Sequence, residues 1–147
     1  MSEYLTEWFQ GFEKGINSLD QKAKESFFYS CGSNCVERGV KKVYEELYID
    51  SGKKLDTFFL RLNEMKTVGG EIINPGKVYD ITFSHCVCEL HRRGYIHSDC
   101  ICECSRQSII HVMKSLEPEL QMQVDKISTV LGGGKECRFR ISIEEDA

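Results

Sequence analysis

Apolar residues recur at helical intervals through the first 66 positions. Leu19, Ala23, Phe27, Cys31 and Cys35 follow one another every four residues. Ser18 with Gln21 three positions on makes a capping-box pattern, so a helix is predicted here with both cysteines on one face. Val40, Val43, Tyr44, Leu47 and Tyr48 repeat at i, i+3, i+4, i+7 and i+8, which predicts a second amphipathic helix closed by Asp50-Ser51-Gly52. Leu55, Phe58, Phe59, Leu62 and Met65 predict a third, and Trp8, Phe9 and Phe12 suggest another over residues 3–13.

The period changes at Gly69-Gly70. Glu71-Ile72-Ile73 and the run Val78 to Phe83 flank Asn74-Pro75-Gly76, a strong turn signal, and predict a β-hairpin whose second strand leads into a cysteine-rich stretch. Helical spacing returns at Ile109, Ile110, Met113 and Leu116, and Pro118 ends it. Residues 120–130 and 137–143 flank the glycines 132–134 and read as a closing hairpin, with Cys137, Phe139, Ile141 and Ile143 on its buried face. The pattern predicts an α+β fold. N-terminal helices (1–66) pack on a small antiparallel sheet, and the sheet-and-helix part (67–147) carries the cysteine cluster and ends in a β-hairpin, all in a single domain over 1–147.

Composition narrows the function classes. At 147 residues, with 41% hydrophobic and 29% charged side chains and two prolines, the chain can bury a core without staples. A net charge of -4 supplies no field for phosphates, so no nucleic-acid partner is expected, and His91-Arg92-Arg93 reads as a solvated run. The opening MSEYLTEWFQGFEKG lacks a basic segment followed by an apolar one, and no stretch is long and apolar enough to span a bilayer. A cytoplasmic location without membrane attachment is the expectation. In that reducing compartment, cysteines point to metal or reactive thiols ahead of disulfides.

The stretch 83–105, FSHCVCELHRRGYIHSDCICECS, holds five of eight cysteines and three of four histidines. In an extended segment, Cys86 and Cys88 point to one side, as do members of Cys100, Cys102 and Cys104, so each pair offers two sulfurs to one ion. If the second run begins a helix, Cys100 and Cys104 align instead. Zinc is the expected cofactor, being the commonest metal at thiolate sites. His91 and His97 read as surface residues rather than ligands. Cys31 and Cys35, four apart on a helix, are a possible additional thiol pair or two small core residues, and Gly32 between them permits close approach of another backbone.

The closing run Gly132-Gly-Gly-Lys-Glu-Cys137-Arg-Phe-Arg-Ile141 resembles the last strand of the 4-vinyl-reductase domain and of the L-2-amino-thiazoline-4-carboxylate hydrolase-like proteins. The order of elements is similar to the fold they share with nitric-oxide-signalling ligand-binding domains and transport-particle subunits. The first resemblance implies that Cys137 is a zinc ligand together with Cys102 or Cys104. The Glu-x-x-Cys pair of that family is missing at Lys126-Ile-Ser-Thr129, so Cys86, Cys88 or the Cys31/Cys35 pair would replace it. The expectation is a zinc-binding domain for a small hydrophobic or amino-acid-like ligand, in a possible homodimer.

The hydrolase-like resemblance implies an alternative, with Cys86, Cys102 and Cys137 in the family positions and a thiolate attacking a small cyclic amidine or thiazoline. His85 would accept a proton, and Arg106 or Arg138 would hold a carboxylate. A thiol redox protein, with Cys31 and Cys35 facing the 86–104 cluster, is the third reading. Phe27, Phe28, Tyr44, Phe58 and Phe59 are candidates to line a pocket, or simply core.

Overall fold

The computed structural model describes residues 3–84 and 89–144. Helix α1 (Glu3–Asn17) leads through a short turn to α2 (Gln21–Cys35), a π-helical turn (Val36–Val40), α3 (Lys41–Asp50) and α4 (Leu55–Arg61) with a 3-10 extension (Leu62–Glu64). Strands β1 (Val68–Asn74) and β2 (Val78–Phe83) follow. The short helix α5 (Glu89–Arg92) and a 3-10 turn (Asp99–Ile101) precede α6 (Cys102–Leu116), and β3 (Met122–Ser128) and β4 (Cys137–Ile143) close the chain. The α+β class, the central hairpin and the terminal hairpin are as the sequence predicts.

The four strands form one antiparallel sheet in the order β1-β2-β4-β3, so the terminal hairpin inserts its last strand beside β2. One face carries Tyr79, Ile81, Phe139, Ile141 and Val124 into the main core with Tyr44, Tyr48, Phe58, Phe59 and Leu62 from the helices. The other face places Glu71, Asp80, Arg140 and Asp125 side by side across the strands. Asp80 is fully covered, gripped by Arg140 at 2.8 and 3.0 Å and by Arg138 at 2.6 Å. Desolvation raises its pKa, but the hydrogen bonds and charges of the two arginines outweigh this and hold it below the ordinary carboxylate value.

Helices α2 and α6 meet at Gly32. A Cβ there would lie 2.8 Å from the Cys104 carbonyl oxygen and 2.9 Å from the Ser108 amide, so only glycine permits this crossing. The buried stripe of α2 is therefore Phe28 and Gly32, continued by Val36. This corrects the predicted stripe, since Phe27 is 40% exposed and Cys31 and Cys35 are exposed. The predicted capping box is corrected too. Asp20 caps α2 by accepting from the Ala23 amide at 2.8 Å, while the Ser18 hydroxyl donates back to Gly15 of α1. Gly39, at φ 152°, kinks the chain between α2 and α3.

A second, smaller core joins α1 and α2 to the loop before α6, through Ile16, Phe28, Ile96 and Ile101. Phe9 stacks on Tyr95 at 5.3 Å, and the Glu13 carboxylate accepts from the amides of His97 and Ser98.

Candidate functional site

Between α3, α4, α6 and the inner face of the sheet lies a cavity of about 220 Å³. Tyr44, Phe58 and Phe59 supply its aromatic wall, Ile81 and Ile141 its sheet floor, and Ile109, Val112 and Met113 of α6 its opposite side. The wall reaches the surface at the π-helical turn, where Cys35 and Val40 line the cavity and are exposed. Gly39 sets the path of that turn, because its backbone lies in a region that side chains disfavour. Glu37 of the same turn is held by His111 of α6 at 2.9 Å and by Lys41 at 3.1 Å. Its pKa is lowered, first by the His111 hydrogen bond and then by Lys41.

Among the described residues, no charged side chain and no histidine lines the cavity. The polar residues in its lining are few: Tyr44, Ser105 and Ser108, with Cys35 and Cys104. Ser108 is engaged, donating to the carbonyls of Cys104 at 2.9 Å and Gly32 at 3.3 Å. Burial raises the Tyr44 pKa, so the phenol stays protonated at neutral pH. The site favours uncharged, apolar molecules, since an unpaired ion would lose its hydration without compensation.

The cysteines do not gather around this cavity as a set. Cys31 and Cys35 lie exposed on α2, Cys102 is buried at the start of α6, Cys104 is half-buried on the cavity wall, and Cys137 is buried on β4. The Cys137 sulfur accepts from the Val130 amide at 3.4 Å. Cys86, Cys88 and the side chain of Cys100 lie outside the described residues, as does His85. Among the described residues, no three histidine, cysteine, aspartate or glutamate side chains group so as to hold a metal ion. The expected zinc site therefore draws no support from the described residues.

The arginines assigned to a substrate carboxylate are taken up by the protein. Arg106 donates to Glu103 at 2.9 and 3.1 Å, to Glu25 at 2.9 Å and to the Val124 carbonyl at 2.8 Å. Arg138 binds Glu71, Asp80 and Glu136 on the sheet's outer face, away from the cavity. Neither faces the cavity as a free cation, and the hydrolase reading loses its anchor. Of the aromatic residues proposed for a pocket, Tyr44, Phe58 and Phe59 line it. Phe28 belongs to the second core and Phe27 to the surface.

No protein-family profile matches the chain, and no curated protein sequence is significantly similar to it. Solved structures do share its fold. An H-NOX domain from Shewanella oneidensis in the Fe(II)CO ligation state aligns with a TM-score of 0.52 at 12% identity, over 97% of this chain and 75% of that one. An H-NOX protein from the same organism in the Fe(II)NO state gives 0.50 at 12% identity, over 96% and 74%. A trafficking protein particle complex subunit 3 from Naegleria fowleri, covalently bound to palmitic acid, aligns at 13% identity over 97% and 95% with a TM-score of 0.44. The fold expected from the order of elements is thus shared with the H-NOX structures. Among the described residues, no histidine lines the cavity.

Proposed function

We propose that this protein is a binding domain for a small, apolar molecule, held in the cavity between α3, α4, α6 and the sheet. The carrying observation is the cavity itself: about 220 Å³ of apolar space in a core that otherwise closes around Leu62, Val124 and Phe139. Its wall is apolar and opens at the surface beside Cys35 and Val40, so an apolar ligand can enter and displace water that finds few partners there. The H-NOX neighbours, whose structures carry CO or NO on Fe(II), support the use of this fold to hold small molecules.

The test is benzene, for which an apolar cavity of about 150 Å³ suffices. Benzene should raise the melting temperature of the whole chain and shift the methyl resonances of Val36, Ile109, Val112 and Met113 in NMR spectra. Unchanged methyl resonances at saturating benzene would refute the proposal.

A second reading keeps zinc on the cysteines of 86–104. One atom favours it: Nδ1 of His91, sealed from solvent without a hydrogen-bond partner among the described residues. Elemental analysis of protein purified without chelator tests this. About one zinc per chain, lost in His91→Ala, is the supporting result.

A further inference from the structure

Three tyrosines are buried in the main core, and they are treated differently. Tyr48 donates to the Lys53 carbonyl at 3.0 Å or to Glu117, and Tyr79 pairs with Asp56 and receives the Gly76 amide. Both hydroxyls are satisfied, as buried phenols usually are. Tyr44 is only 7% exposed, its hydroxyl has no hydrogen-bond partner among the described residues and is not sealed from solvent, and it is the tyrosine that lines the cavity.

We infer that the cavity is specific for neutral molecules with an apolar body and a single hydrogen-bond acceptor, and that the Tyr44 hydroxyl donates to that acceptor. The inference rests on the binding reading above and adds a ligand class to it. Three features define the class. The wall excludes ions, because no described charged residue reaches it. Its volume limits the body: scaled from the about 150 Å³ that holds one six-carbon ring, 220 Å³ accommodates about nine heavy atoms. The polar end is placed by Tyr44 on α3, whose ring is held edge-on by Phe58 at 6.4 Å, so the donor sits on a packed helix rather than on a mobile loop. The raised pKa of the phenol keeps the donor proton in place across neutral pH.

The experiment compares acetophenone, ethylbenzene and benzoate on the full chain by calorimetric or NMR titration. The first two share a ring and a two-carbon substituent and differ in the carbonyl oxygen, and the third adds a charge. The wild type should bind acetophenone about 3- to 10-fold more tightly than ethylbenzene, the span of one hydrogen bond, and should not admit benzoate. In Tyr44→Phe the acetophenone preference should fall to near unity while ethylbenzene affinity is unchanged. Folding is controlled internally: Tyr44→Phe should not lower the melting temperature, because no protein hydrogen bond is lost, whereas Tyr48→Phe should. Equal affinities in the wild type, or a preference that survives in Tyr44→Phe, would overturn the inference and leave the binding function standing. Failure of both neutral probes to bind would overturn the two together.

Discussion

Asp80 is the residue on which the outer face of the sheet depends. Its carboxylate is completely covered, and both of its partners, Arg138 and Arg140, come from the neighbouring strand β4. Asp80→Asn should cost about 1.5–3 kcal/mol, the range for hydrogen bonds to a charged group. Because the folded-state pKa lies below its ordinary value near 3.8, this stabilisation is complete above that pH and is lost as pH falls through the folded-state value. Urea unfolding of wild type and Asp80→Asn should therefore show a constant gap from pH 5 to 8 that narrows below about pH 4. A gap independent of pH would mean that packing, not charge, holds the face. Tyr79 illustrates the opposite sign: burial, then the Asp56 hydrogen bond, pushes its pKa up to about 12, so it contributes no titration in that window.

The elements show what a hydrophobic pattern can and cannot reveal. Both hairpins were legible because alternation and turn residues are local, and the Asn74-Pro75-Gly76 turn lies where its chemistry puts it. The stripe of α2 was misread by one residue because its contact with α6 is made by Gly32, which carries no hydrophobic signal although it fixes the crossing. The kink at Gly39 was missed for a related reason: the periodic residues on either side conceal a break in the backbone. The aromatic wall of the site was legible as a stripe, but a stripe does not distinguish side chains that meet from side chains that stop short of meeting. The closure of the sheet's first edge was equally hidden. Asn63 donates to the Gly70 carbonyl at 2.8 Å and accepts from its amide at 3.1 Å, standing in for one residue of a fifth strand. Gly70 is required there, since a Cβ would overlap the Phe59 carbonyl. Asn63→Ala should lose about 1–2 kcal/mol through two net hydrogen bonds and leave the edge open to self-pairing. Thermal melts with light scattering should show a lower midpoint and earlier aggregation, and an unchanged midpoint would mean that water replaces the side chain without cost.

At the scale of the whole molecule, two cores of different character share one helical layer. The smaller one, under α1, is closed by stacked aromatics and by Glu13 at the loop amides, whereas the larger one stops short of filling its own interior. That contrast gives a paired test with a single kind of substitution. Val112 lines the cavity, and Val124, nearly inaccessible on β3, lies in the closed part of the same core. Leucine adds one methylene at either position. At Val112 it enters empty space, where cavity filling stabilises by about 0.5–2 kcal/mol. At Val124 it enters a packed site, where added volume costs about 1–3 kcal/mol. At roughly 2–4 °C per kcal/mol for a chain near this size, Val112→Leu should raise the melting temperature by a few degrees and Val124→Leu should lower it. Val112→Leu should also weaken benzene binding, because the methylene and the ligand compete for one volume. If both substitutions destabilise equally, the cavity closes in solution, and the ligand must then open it at the expense of affinity.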